Sequence, residues 1–359
     1  MTHVFVAPHP DDVALSCGGL IASLREVGQN VTIITVFSGE EVDGSIGPGG
    51  APAYSREALG FGTKAMWPST EAFNRSSILP DYPLAPAWVA DEDRLESTQT
   101  DADAAAKRFW QRSSWYRRAS IRAESLAGQA VIDELPTQGA VVTDEIVDAA
   151  AAGDPMARRR MEDERYAYFA EASIVFLDQP DASFRGYESE AELLGRPRDG
   201  DLQLSGILRR EIDRLEPQQV YLPLGVGGHV DHQLCRQAGI DMLRSGDRWL
   251  MPGPEYAGMV VFYEDFPYAL WNDFRTIDQL GPDAFADLPR DVSIFPAFSD
   301  IGDQMERKIT GIGIYESQVE RLFDDQRQMA DAVRSYGAAV GVIGDVAGAA
   351  ERYWRTSRI

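Results

Sequence analysis

The chain has 359 residues, 44% of them hydrophobic, enough for one large α/β domain with embellishments or for two domains, which excludes a tail or a fibre. With 57 acidic against 34 basic residues the formal charge is -23, and a surface of that sign repels phosphate backbones and anionic lipid, so neither a nucleic-acid nor a membrane partner is expected. Cys17 and Cys235 are too few for a disulfide framework, no basic-then-apolar leader pattern opens the sequence, and no apolar run approaches a membrane span; a soluble cytoplasmic protein is expected, with a homo-oligomer left open.

In chain order, "HVFVAP" reads as a strand, "ALSCGGLIASLREVG" as a helix closed by Gly28, and "NVTIITVFSG" as a second strand parallel to the first. The rhythm then breaks. "DGSIGPGGAPAYSREALGFG" is Gly/Pro-rich, and the stretch to about residue 154 is aromatic, proline-rich and then helical, with Trp67, Phe73, Trp110, Trp115 and Tyr116 expected to pack it down. The alternation resumes with "RRRMEDERYAYFAEA" as a helix, "SIVFLD" as a strand, "LSGILRREIDRLEP" as a helix, "QQVYLPL" as a strand and "HQLCRQAGIDMLRS" as a helix. "GMVVFYED" supplies one more strand and "ERKITGIGIYESQVERLF" a late helix or helix pair. Val/Ile-rich strands alternating with amphipathic helices predict a Rossmann-like α/β fold: a mostly parallel sheet flanked by helices, formed by 1–40 and 155–359. Residues 41–154 are expected to form a largely helical insertion that shapes the rim of the active site.

Charge enters this pattern at two strand-to-helix junctions. "VFVAPHPDDVALSCGG" places His9, Asp11 and Asp12 where the first strand gives way to a helix. His9 and Asp12 are three apart, so one turn can aim both at a point, and nitrogen plus carboxylate suits Zn²⁺ or Fe²⁺ better than Ca²⁺. "LPLGVGGHVDHQLC" places His229 and His232 after a later strand, with Gly225, Gly227 and Gly228 permitting tight turns. Three of the four histidines therefore sit at two strand ends. His9, Asp12 and one of His229 or His232 would give three protein ligands and an open position, the count of a catalytic site. Cys17 and Cys235 lie inside helices and are expected in the core.

"PHPDDVALSCGG" and "GGHVDH" resemble the signatures of the LmbE-like (PIG-L) metal-dependent de-N-acetylases, and "RRRMEDERYAYFAEA", "FYEDFPYA" and "KITGIGIYESQ" are similar to that family's later landmarks, in order. The resemblance covers about residues 1–40 and 155–330. Val13 departs from it, standing where the family's first motif commonly has an acidic residue, and the long insertion has no counterpart in it. The resemblance implies that His9, Asp12 and His232 bind the metal, that Asp11 is the general base, and that His229 is the oxyanion stabiliser or general acid, oriented by Asp231. It further implies hydrolysis of an N-acyl, most simply N-acetyl, amide on a small-molecule amino sugar or sugar conjugate, by metal-activated water. Arg159, Arg185, Tyr263, Glu264 and Asp265 fall near strand ends or on a facing helix and are candidate sugar contacts. Two other readings stand beside this one: a thiol-conjugate amidase using the same site, and a nucleotide-sugar-binding transferase whose His and Asp only anchor loops.

Overall fold

The computed structural model describes residues 1–39, 155–244, 258–271, 285 and 287–359. The expected insertion at 41–154 lies outside them. The described elements are β1 (Thr2–Ala7), α1 (Asp12–Glu26), β2 (Asn30–Thr35), α2 (Pro155–Phe169), β3 (Ser173–Phe176), α3 (Ser205–Leu215), β4 (Gln219–Pro223), α4 (Val230–Arg244), β5 (Val260–Tyr263), β6 (Val292–Asp300), α5 (Met305–Gly313), α6 (Glu316–Phe323), α7 (Gln326–Ile343) and β7 (Ala350–Arg358), with shorter helical turns between them.

Seven strands form one sheet in the order β3-β2-β1-β4-β5-β7-β6. The first five pair in parallel; β7 runs antiparallel to β5, and β6 antiparallel to β7. The central strands are apolar without alternation because helices cover both faces. Val4, Phe5 and Val6 of β1 are all fully buried, as are Val220 and Leu222 of β4. Helix α1 packs on β1, β2 and α5, while α3 and α4 form a separate packed pair against β1, β4 and β5. Gly19 makes the approach of α1 possible: a Cβ there would come within 2.5 Å of Ile301 Cγ2.

The topology sets the position of the site. Strand β1 has β2 on one side and β4 on the other, so the chain leaves it in opposite directions and a crevice opens at the carboxyl ends of β1 and β4. Both His/Asp motifs follow those two strand ends. Cys17 and Cys235 are buried free thiols within the core. No described helix is long and apolar enough to cross a membrane.

Candidate active site

Asp11 and Asp12 are the junction between β1 and α1. Asp12 opens the helix, and Asp11 carries φ 107°, in a region that favours glycine. Such strain costs on the order of 1–3 kcal/mol and persists only where surroundings hold it. It separates the two carboxylates: neighbouring residues in sequence point to different partners.

Asp12 Oδ2 turns back to accept the backbone N–H of His9 at 2.7 Å and lies 3.2 Å from His9 Nδ1 and 3.4 Å from His232 Nε2. Each imidazole is fixed by a carboxylate behind it. His9 Nε2 lies 2.9 Å from Asp231 Oδ2, and His232 Nδ1 lies 2.6 Å from Asp265 Oδ1. If each of these nitrogens donates, the lone pairs of His9 Nδ1 and His232 Nε2 are left on the side of Asp12. His232 Nε2 is buried and has no hydrogen-bond partner. A buried nitrogen without a partner in a carboxylate-lined crevice suggests a cation site, and two imidazoles with one carboxylate suit a borderline divalent metal.

The carboxylates behind the two imidazoles are held in turn. Asp265, which follows β5, accepts the N–H groups of Gly225 and Val226 at 2.8 and 2.9 Å. Asp231 accepts Ala182 N–H at 3.1 Å and Arg185 Nη2 at 2.6 Å. Although burial opposes it, the His9 hydrogen bond and Arg185 hold Asp231 well below the usual carboxylate range. Burial also opposes ionisation of Asp12, which His232 and His9 nevertheless keep low. His9 is lifted to about 10, burial being outweighed by its bonds to Asp12 and Asp231.

His229 differs from the other two. Its Nδ1 accepts the backbone N–H of Asp231 at 3.3 Å, so a neutral ring carries its proton on Nε2 and offers a donor, not a lone pair. Burial, with the charges of His9 and His232 beside it, pushes it down to about 3 and keeps it neutral. His9, His229 and His232 each bring a nitrogen within 4.8 Å of the others. Gly227, at φ 86°, lets their loop pass against the Tyr268 ring, which a side chain there would overlap.

Asp11 lies on the other side. Its Oδ1 is 3.8 Å from Arg159 Nη2, whose guanidinium also donates to Pro10 O at 3.2 Å. Burial raises the Asp11 carboxyl to about 7, with Asp12 and Asp163 pushing the same way and Arg159 and His9 opposing. Asp163 was not among the candidate residues; it accepts from Thr35 Oγ1 at 2.6 Å and from Tyr315 Oη at 2.5 Å, tying α2, β2 and α6 together beside Asp11. Asp181 was missed as well, 3.4 Å from His9 Nε2. A carboxylate just past "SIVFLD", at another parallel strand's carboxyl end, was the available signal.

Several sequence expectations need correction. Asp231 directs its carboxylate to His9 and Arg185, not to the His229 ring, because residues two apart at a helix start point in different directions. Arg185 is enclosed, bonding Asp201, Asp231 and Pro180 O, with its guanidinium 4.9 Å from the Phe37 ring centroid. Its donors are used within the protein. Tyr263 donates to Val6 O at 2.8 Å inside the sheet. Glu264 accepts from Tyr336 Oη and Trp354 Nε1 at 2.8 and 3.0 Å and pairs with Arg352. Asp265 serves His232. Of the five candidate sugar contacts, Arg159 alone stands beside Asp11.

The model of the PIG-L family, described as GlcNAc-PI de-N-acetylase, matches residues 4–59. A 2'-N-acetylparomamine deacetylase of Streptomyces fradiae is 24% identical over 321 residues, 88% of this chain and 73% of that protein. The chain is similar to the PIG-L (LmbE-like) deacetylases in these stretches. Among solved structures, the A40926 pseudoaglycone deacetylase superposes on this chain with a TM-score of 0.52 at 19% identity, covering 99% of this chain and 97% of its own. A deacetylase of the teicoplanin pathway gives 0.53 at 18% identity, covering 100% and 99%. A zinc-inhibited form of a teicoplanin deacetylase gives 0.52 at 16%, with the same coverage. These structural likenesses bear on the fold alone.

Proposed function

We propose that the protein hydrolyses an N-acyl amide, most simply N-acetyl, on an amino sugar or a sugar-bearing conjugate, with a divalent ion such as Zn²⁺ or Fe²⁺ held by His9, Asp12 and His232. The observation that carries this reading is the convergence of two oriented imidazole nitrogens on Asp12, with the unligated Asp11 alongside. Similar proteins named as deacetylases, of 2'-N-acetylparomamine, of A40926 pseudoaglycone and of the teicoplanin pathway, support it. His229 is set apart from the ligands because its Nδ1 faces a donor.

A bound divalent ion would supply Lewis acidity, polarising the amide carbonyl and acidifying water. Asp11, with a pKa near neutrality, takes the proton of the attacking water and is then placed to return it to the departing amine. His229, neutral at working pH, donates from Nε2 to the oxygen on which charge develops. A neutral ring of low pKa is a hydrogen-bond donor and not a proton reservoir, so the oxyanion role is assigned to it. Arg159 holds Asp11 in place and opposes its protonation.

The test is acetate release from a panel of N-acetylated amino sugars, sugar conjugates and thiol conjugates, using protein stripped with a chelator and reloaded with one equivalent of Zn²⁺ or Fe²⁺. Acetate release restored by the ion and confined to sugar amides is expected. Turnover of thiol conjugates alone would move the assignment to an amidase of that class.

A further inference from the structure

Arg185 closes the single helical turn Ala182–Arg185 that follows β3, and this turn grips Asp231 by both carboxylate oxygens. Ala182 N–H donates to Oδ2 at 3.1 Å and Arg185 Nη2 donates to Oδ1 at 2.6 Å. Asp231 Oδ2 faces His9 Nε2 at 2.9 Å, and Asp181, which caps the same turn, stands 3.4 Å from that nitrogen. One short stretch of chain thus lies behind the His9 imidazole. The turn is anchored in its turn by Asp201, which accepts Arg185 Nε at 2.9 Å and Tyr187 Oη at 2.6 Å, while Arg185 Nη1 donates to Pro180 O at 2.7 Å. The side chains of Arg185 and Asp201 are 6% and 8% exposed, so water takes little part in these bonds.

Charge alone gives no reason for a guanidinium here. One carboxylate away from His9, it repels the divalent ion that the site is read to hold, and burying it with two carboxylates carries a desolvation cost that apolar packing would avoid. Shape supplies the reason. The planar fork directs Nη2 at Asp231 while Nε is held on Asp201, so Asp231 is tied to a point outside the crevice. Phe37, fully buried, completes the arrangement: its ring centroid is 4.9 Å from the Arg185 guanidinium and 5.9 Å from the centroid of the His9 ring.

We infer that Arg185 and Asp201 are positioning residues for the metal centre, acting on His9 through Asp231, so that the chain Asp201–Arg185–Asp231–His9 sets the direction in which the imidazole presents Nδ1. The inference rests on the metal-centre reading above and adds to it two residues outside the ligand set.

The experiment measures Zn²⁺ affinity by competition with a chromogenic chelator, on stripped and refilled wild type, Arg185→Met, Arg185→Lys and Asp201→Asn. Positioning predicts weaker binding in all three, by about tenfold in Arg185→Met and by less in the two conservative variants, since partners that orient metal-binding histidines govern affinity by about 10–100-fold. Removal of a repelling cation, acting alone, predicts tighter binding in Arg185→Met, and that result overturns the inference. The second readout is the proton on His9 Nε2, followed by NMR in zinc-loaded protein carrying isotope-labelled histidine. Wild type should show it protected from solvent exchange, and Arg185→Met and Asp201→Asn should exchange it faster. Variants that melt at a lower temperature when stripped, yet keep wild-type Zn²⁺ affinity and wild-type exchange, would make Arg185 a structural ion pair alone and also overturn the inference. If Arg185→Met does not fold, Asp201→Asn decides, because it keeps its shape and leaves Arg185 in place. None of these readouts needs turnover: a protein that binds Zn²⁺ as expected and hydrolyses no sugar amide would sink the deacetylase reading and leave the positioning chain standing.

Discussion

The backbone of Asp11 accounts for more of this site than any single distance in it. A non-glycine residue at φ 107° beside a buried carboxyl raised to about 7 is unfavourable twice over, and no hydrogen bond from the Asp11 side chain caps α1 in return. Asp11→Asn should therefore retain the metal and lose about two to four orders of magnitude in kcat, the span for removing a general base. Metal analysis alongside initial rates checks this, and full activity in the variant would remove Asp11 from the mechanism. Asp11→Gly should be equally inactive yet more stable than wild type by about 1 kcal/mol, since the strain disappears; a lower urea midpoint at unchanged m-value would contradict the strain argument. Asp231→Asn and Asp265→Asn should each weaken metal binding by about 10–100-fold, because each carboxylate fixes the ring that presents a ligand nitrogen. Competition with a chromogenic chelator measures that loss, and unchanged affinity in both variants would disprove the orienting role. At this scale the three histidines, Asp11, Asp12 and Asp231 were legible from two short motifs, but Asp163, Asp181 and the pairing of these groups were not. Asp231 lies beside His229 in sequence and serves His9, 222 positions away.

The elements near the N-terminus were readable because burial on both faces leaves an unbroken apolar run, as in β1 and β2. The last strands were hidden by opposite signals. Strand β7, "AERYWRTSR", is dense in charge, yet Glu351 pairs with Lys308 at 2.7 Å and Arg352 pairs with Glu264, partners that only the tertiary fold supplies. Strand β6 contains Pro296, which argues against a central strand and fits its place at the edge of the sheet. The late helix resolves as two, α5 and α6, parting at Ile314 and Tyr315. Glu351 also accepts the N–H groups of Gly19 and Leu20 at 2.9 Å, pinning the helix whose first turn carries Asp12. Lys308→Met leaves that carboxylate buried without its cation and should cost about 3 kcal/mol. Denaturant unfolding reads it, and a loss below about 0.5 kcal/mol would show that the backbone donors and Tyr353 Oη suffice without the cation. His3 on β1 gives a pH signature. Burial, with the N-terminal charge and Arg355, lowers it from 6.5 to about 4, so between those values the unfolded chain binds a proton that the folded chain refuses. Its contribution is fully present above pH 6.5 and is lost as pH falls toward 4, with a slope no steeper than about 1.4 kcal/mol per pH unit. His3→Gln should flatten the acid-side decline of stability in that window, and identical slopes in the two proteins would place the proton elsewhere.

Over the whole molecule, the crevice is where the fold concentrates ionisable groups that a core cannot otherwise hold. His9, Asp11, Asp12, His229, Asp231, His232 and Asp265 are each no more than 7% exposed, and they come from the ends of β1, β4 and β5. Their mutual compensation leaves the buried His232 Nε2 without a hydrogen-bond partner. An ion that binds only the folded chain adds RT ln(1 + [L]/Kd) to its stability, about 4 kcal/mol at a thousandfold excess over Kd. Stripped protein should therefore melt several degrees lower than protein saturated with Zn²⁺, because a few kcal/mol displaces Tm by degrees in a domain of this size. The ligand set can be read from the same experiment. If His9, Asp12 and His232 hold the ion, Asp12→Ala should abolish the Zn²⁺-dependent rise in Tm, while His229→Ala should keep it and lose activity mainly through kcat. The competing set, His9, His229 and His232, has a nitrogen of each within 4.8 Å of the others and makes the opposite prediction. It would require the His229 ring to give up the N–H bond from Asp231 or to bind through Nε2 with Nδ1 protonated against that donor. A rise in Tm that survives Asp12→Ala and vanishes in His229→Ala would establish the three-histidine set and return Asp12 to the role of a helix-opening carboxylate.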